Sequence, residues 1–238
     1  MSQEDEIKEK LAIANRILVN ENLTELGRGH VAYKIDEGKI LIPGHLHDYN
    51  RSIADCNVSD IVKIDYNGKV LEGNYPESMH EFFFYSEVFK IRKDVKAALH
   101  MHAFYTNVMF MTGQKLAMAS RDSFLFVDGV KSFDGLPLFV NTREMGKSMA
   151  EALGRSIAIV HRGHGTFMVG QSIEEVVITA ASLERACKKQ VLASSLGKLL
   201  EYDEKEIRKT NTSDIRQEVT DIDWGYFTTR LSKFGITG

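Results

Sequence analysis

A chain of 238 residues with 43% hydrophobic and 26% charged side chains can bury one sizeable core beneath an ordinary polar surface. Its net charge of −3 comes without a basic stripe, which speaks against a general nucleic-acid binder, and no apolar run approaches the roughly 18 residues of a membrane span. The start, Met1-Ser2-Gln3-Glu4-Asp5-Glu6, is acidic where a secretory leader is basic and then apolar, so a cytoplasmic protein is expected. Cys56 and Cys187 lie far apart, outside any C-x-x-C spacing, and are expected to be free thiols.

Ile7, Leu11, Ala14, Ile17 and Leu18 recur at helical spacing and predict an amphipathic helix over about 4–21. Val31 to Ile35 and Lys39 to Ile42, separated by Asp36-Glu37-Gly38, read as a hairpin; Ile61 to Asp65 turns at Asn67-Gly68 and returns through Val70 and Leu71. An aromatic-rich helix is expected over 79–92, a strand over 95–101 and a helix over 106–111. Phe124 to Val127 and Pro137 to Val140 read as short strands, 142–153 as a helix, and 157–160 as a strand leading to a further extended segment, 166–169. Ser172-Ile173-Glu174-Glu175 opens a helix that runs to about Leu200, with Lys188 and Lys189 on its solvated face. The tail from about 203 to 220 is polar and expected to pack loosely, and no repeat or linker marks a domain boundary.

Two histidine groups stand out. Leu99-His100-Met101-His102 ends a β-prone run, and alternation on a strand turns His100 and His102 to one face. A lone H-x-H is common by chance. Here a second strand, Ile157 to Val160, runs into His161-Arg162-Gly163-His164-Gly165, whose glycines allow a sharp turn and close approach. Three imidazoles with a vacant position describe a catalytic metal site, since structural sites are usually closed by four ligands.

The run Glu81-Phe82-Phe83-Phe84-Tyr85, followed by Arg92-Lys93-Asp94 and His100-Met101-His102, resembles the class II aldolase/adducin family. His164-Gly165, Ser172-Ile173-Glu174-Glu175 and Leu183-Glu184-Arg185-Ala186 extend the resemblance over about 7–200. It implies one three-layer α/β/α domain over 1–238 with a mostly antiparallel central sheet, a C-terminal extension over about 201–238, and a homotetramer with its active sites at subunit interfaces. It also implies a divalent metal on His100, His102 and His164, with zinc first and manganese, cobalt or ferrous iron as alternatives. Glu81 falls on the family's acidic residue, a resting metal ligand or an acid/base, and His161 is read as a supporting or structural histidine.

Such a metal face suits a substrate that chelates through two adjacent oxygens and breaks a neighbouring carbon–carbon bond by way of an enolate or enediolate. Glu81 would move the proton if the site raises its pKa towards neutrality. Where sugar-phosphate members carry asparagine and small hydroxyls, this chain has Gly29-His30, Pro43-Gly44-His45 and Met79-His80, which resembles a decarboxylase-like branch acting on unphosphorylated substrates. That branch has a histidine where Tyr85 stands, so Tyr85 either donates a proton or packs. His30, Gly44 and Arg28 are the expected substrate-binding residues, with Arg51 a further carboxylate partner; His45 and His47 read as surface residues, and His80 as pointing away from Glu81. The expected activity is thus a metal-dependent aldolase or decarboxylase. Sugar-phosphate aldolase or epimerase, a non-catalytic adducin-like module and an iron-dependent oxygenase are the competing readings.

Overall fold

The computed structural model describes residues 2–136 and 139–233. Ser2 caps the first helix, α1 (Gln3–Asn20), through a reciprocal pair of hydrogen bonds with Asp5. Then follow β1 (Gly29–Asp36), β2 (Lys39–Pro43), β3 (Ile61–Asp65), β4 (Val70–Glu72), α2 (Phe82–Ile91), β5 (Ala97–Met101) and α3 (Phe104–Met111). The second half adds β6 (Lys131–Phe133), α4 (Arg143–Leu153), β7 (Ala158–His161), β8 (Gly165–Gly170), α5 (Ile173–Ser194), α6 (Glu204–Thr210) and α7 (Ser213–Lys233).

The strands form one sheet in the order β4-β3-β2-β1-β5-β8-β7-β6, antiparallel throughout except for the β6–β7 pair. Apolar side chains cover both faces. Ala97, Leu99 and Met101 of β5 join α1, α3 and α5 on one side, while Ala98 joins Phe84, Val88, Met149 and Leu153 of α2 and α4 on the other. The architecture is three layers, helices on either side of a mostly antiparallel sheet. The period-two alternation of β5 turns His100 towards the α2/α4 side.

Besides a later start of α2 and an end of α5 at Ser194, short of the expected Leu200, four segments depart from the sequence reading. Arg121–Phe126 is a short 3-10 helix, not a strand, because the Ser123 hydroxyl accepts from the Ser120 amide and donates to the Ser120 carbonyl, which starts a turn there. β6 was hidden by its brevity: three residues pairing in parallel with β7 at the sheet edge. The strand expected over 137–140 has its first two residues outside the described set, and Phe139 and Val140 are not in a strand. The tail over 203–220 is helical, in α6 and the first part of α7, and holds on by Ile207 and Thr220 while most of its other side chains are exposed; the firmer packing lies beyond it. Ile207, Phe227 and Leu231 are buried, and Arg230 pairs with Glu21 at the end of α1.

Candidate metal centre

Glu81, His100, His102 and His164 bring one donor atom each into a cluster whose members all lie within 4.8 Å of one another. Nε2 of His100 stands 2.9 Å from Nε2 of His102 and 3.2 Å from Nε2 of His164. Each Glu81 oxygen faces one of these rings, Oε2 at 3.2 Å from His100 and Oε1 at 3.2 Å from His164. Tetrahedral zinc with Zn–N of about 2.0–2.1 Å would hold neighbouring nitrogens about 3.3 Å apart, so this spacing fits a small divalent ion.

The fold supplies each donor. β5 lies between β1 and β8 at the centre of the sheet, and its end delivers His100 and His102. His100 Nδ1–H donates to the Thr166 carbonyl at 3.1 Å, which leaves Nε2 turned into the cluster. Phe167 stacks against the same ring, 4.1 Å between centroids and 17° from parallel. The turn from β7 to β8 carries His164. Its two glycines have different reasons: Gly163 takes φ +78, whereas a Cβ at Gly165 would meet the Met101 carbonyl oxygen at 2.5 Å. Glu184 of α5 accepts hydrogen bonds from the amides of Tyr105 and Thr106 and from the Thr106 hydroxyl, each at 2.8 Å, fixing α3 directly after His102.

Glu81 precedes α2 in a left-handed conformation, φ 67, uncommon for a non-glycine residue. The helix therefore begins at Phe82, later than the 79 expected. The strained residue is held from behind. Tyr85 donates its hydroxyl to Nδ1 of His30 at 2.9 Å, and His30 Nε2–H donates to the carbonyl of His80 at 2.8 Å. Burial and the neighbouring His100 push the His30 pKa down to about 4, consistent with a neutral ring passing one hydrogen bond to the next.

Burial alone would raise the Glu81 pKa, but the charges and hydrogen bonds of His100 and His164 prevail and hold it well below the usual carboxylate range. Raising towards neutrality is thus not what these surroundings do: Glu81 is an anion, further fixed by the Val140 amide at 3.1 Å. Burial, His100 and His164 press His102 down to about 2, which keeps that imidazole neutral as a ligand must be.

In front of the cluster opens a cavity of about 400 Å³, walled by Arg28, His30, His45, His47, His80 and Phe139. Among the expected substrate residues, Arg28 reaches it. His30 borders it with both ring nitrogens engaged inward, as above. Gly44 does not serve there: its missing side chain makes room for the Tyr75 ring. Tyr85 is fully buried behind His30, so its hydroxyl acts on that ring rather than on anything in the cavity. Arg51 is withdrawn into a two-pronged pair with Asp60 at 2.6 and 2.8 Å, aided by the Tyr75 hydroxyl. His161 stays outside the four-donor set. Its Nε2–H donates to the Gly135 carbonyl at 2.7 Å, and its ring lies 5.4 Å from that of His164.

His45, His47 and His80 wall the cavity although the sequence placed them at the surface or pointing away. The signal was present in their spacing, one H-x-H just past the strand that pairs with β1 and a histidine adjoining Glu81. No sequence signal marked Phe139, whose ring meets His164 edge-on at 5.6 Å. Both thiols are free and buried, and burial pushes each up to about 12, which makes neither a nucleophile.

Residues 9–191 match the family model described as the class II aldolase and adducin N-terminal domain. The chain belongs to that family. A relative, the meiotically up-regulated gene 14 protein of Schizosaccharomyces pombe, is 25% identical over 227 residues, 94% of this chain and 86% of its own. A 3,4-dihydroxyphthalate decarboxylase of Arthrobacter keyseri is 25% identical over 201 residues, 80% of this chain and 79% of its own. Among solved structures, an L-fuculose 1-phosphate aldolase from Glaciozyma antarctica PI12 superposes with a TM-score of 0.82 at 22% identity, covering 96% of this chain and 91% of that one. The proteins this chain resembles thus include both an aldolase and a decarboxylase, and this chain carries a glutamate/three-histidine cluster able to hold a metal ion. Among the described residues no helix is long and apolar enough to cross a membrane.

Proposed function

We propose that this chain is a divalent-metal-dependent carbon–carbon lyase, a decarboxylase or aldolase acting on an unphosphorylated hydroxy-carbonyl substrate. The observation that carries the reading is the convergence of three imidazole nitrogens and an ionised carboxylate on one point at the floor of an open cavity. His100, His102 and His164 would hold the ion, with zinc the first candidate. A divalent ion there supplies Lewis acidity to two adjacent substrate oxygens and so stabilises the negative charge that develops as the neighbouring bond breaks.

The chain's own residues do the rest. Thr166 and Phe167 fix the His100 ring, and Glu184 fixes the segment that follows His102. Glu81, anionic and aimed at the same point, is suited to complete the ligand set at rest. From the same position it would be able to take up or return a proton of a bound substrate. Tyr85 and His30 act through the His80 carbonyl to keep Glu81 in place, which replaces the direct proton-donor role the sequence suggested for Tyr85. Phe139 and Met79 supply apolar wall against a planar substrate. The homotetramer implied by the family resemblance belongs to the same proposal, as does a cytoplasmic location.

Elemental analysis of purified protein, followed by a panel of hydroxy-acids and sugar phosphates scored for released carbon dioxide or aldehyde, tests the reading. Stoichiometric zinc, manganese or cobalt with turnover of an unphosphorylated acid is the expected result. A folded protein without stoichiometric metal after reconstitution refutes it, and redox-active iron with oxygen consumption would replace it by oxygenation.

A further inference from the structure

The wall of the cavity beyond the ligand cluster carries a second group of imidazoles that metal binding does not use. The rings of His45 and His80 stack at 4.2 Å and 16°, and His47 meets His45 edge-on at 6.0 Å. His45 Nδ1–H donates to Asp48 Oδ2 at 2.7 Å, so Nε2 is the nitrogen left for a ligand, and Arg28 adds a guanidinium at the same opening. Glu25, Arg28, His47 and His80 are the charged and polar neighbours on this wall, and Asp48 and Glu77 lie beside the stacked pair. Of the two acids nearest the stack, Asp48 is occupied by His45, and Glu77 stands 4.0 Å from His80.

We infer that His45, oriented by Asp48 and backed by His80, forms with Arg28 a carboxylate-binding subsite. The substrate would then carry an anionic carboxyl group in addition to the oxygens that face the metal. This rests on the metal-lyase reading and narrows its substrate class. The backbone beside His45 favours carboxylate over phosphate. The amides of Gly44, His45, Leu46 and Met79 are all used within the fold, donating to Asp60, Glu77, Gly44 and Pro43 at 2.8 to 2.9 Å. No cradle of free amides remains in that stretch for the three oxygens of a phosphate. A guanidinium and, on the doubly protonated His45 ring whose Nδ1–H is held by Asp48, an Nε2–H do remain, donors whose planar geometry suits the two oxygens of a carboxylate.

The test uses cobalt-loaded protein, whose visible spectrum reports ligands reaching the metal, and two pairs of probes that differ only by an anion. Catechol is compared with 3,4-dihydroxybenzoate, and dihydroxyacetone with its phosphate. The expected result is that dihydroxybenzoate binds about tenfold tighter than catechol, the worth of one charge-assisted contact, while the phosphate adds less than about threefold. In His45→Phe, which keeps a ring on the His80 stack, and in Asp48→Asn at an exposed position, the ratio of dihydroxybenzoate to catechol affinity should fall below about threefold. Equal binding of catechol and dihydroxybenzoate to the wild type, or an advantage that survives His45→Phe, overturns the subsite alone. A larger gain from phosphate than from carboxylate overturns it as well. A cobalt spectrum untouched by every probe overturns the chelation reading and the subsite with it.

Discussion

Replacing Gly165 by alanine places a methyl carbon 2.5 Å from the Met101 carbonyl oxygen and 2.9 Å from Cε1 of His100. Ordinary contact begins at 3.4 Å, so the facing ends of β5 and β8 must part by about 0.9 Å at that point (3.4 − 2.5). Overpacking of this kind costs about 1–3 kcal/mol, which for a chain of this size lowers the melting temperature by roughly 2–12 °C. The larger effect falls on the metal. Ligand sets tolerate misplacement of about 0.5 Å, and loss of a supporting contact costs about 10–100-fold in metal affinity. Competition for zinc against a chromophoric chelator measures that loss, with circular dichroism reporting the folded fraction. Gly163→Ala is the control: its φ of +78 strains an alanine, but nothing lies within 4 Å of the new methyl, so stability should fall without comparable loss of zinc. A folded Gly165→Ala protein that binds zinc within about twofold of wild type would refute the idea that this close approach sets the His100 position.

Tyr85→Phe removes the donor to buried His30 and should cost about 1–3 kcal/mol in thermal unfolding; if the hydroxyl serves Glu81 through His30, the cobalt spectrum of the loaded variant also shifts, and an unchanged spectrum limits it to packing. His100→Ala should abolish both metal and turnover, whereas Glu81→Gln should retain metal and lose about 100-fold or more in turnover, consistent with proton-transfer roles; an active, metal-replete Glu81→Gln enzyme contradicts the role given to it. Burial alone would raise the Asp60 pKa, but Arg51 and Tyr75 hold it below the ordinary value, so its contribution is complete above about pH 4 and is lost as pH falls through the depressed folded value. Melting temperatures of wild type should therefore fall more steeply with acidification than those of Asp60→Asn, and parallel curves would show that the pair does not govern acid stability.

The strand-borne part of the centre was legible because two periodicities coincide at its ligands. Alternation along 97–102 fixes the side on which His100 and His102 emerge, and the Gly-His-Gly turn announces a close approach. Glu81 was legible as a residue but not as a conformation, since nothing in Met79-His80-Glu81 signals a left-handed backbone; that conformation comes from tertiary hydrogen bonding through His30 and Tyr85. The imidazole wall was misread for a related reason. Segment 44–51 looks polar and loop-like, and only the pairing of β1 with β2 brings it across the cavity from β5. In the tail, Ile207, Phe227 and Leu231 are spaced too widely for a local pattern to announce that they close over the core.

The strand that delivers His100 has four strands on one side of it and three on the other. Its amides belong to the most protected part of the molecule, where exchange with solvent requires the sheet itself to open. The hydrogen bond that orients its His100 is made to the Thr166 carbonyl of the neighbouring strand. If the proposed ion binds at this centre, its uptake should be separable from folding: protein stripped with a chelator is expected to keep its fold and to take the ion back. Since imidazole and carboxylate donors accept several divalent ions, such a centre would record the supply of ions as much as its own preference.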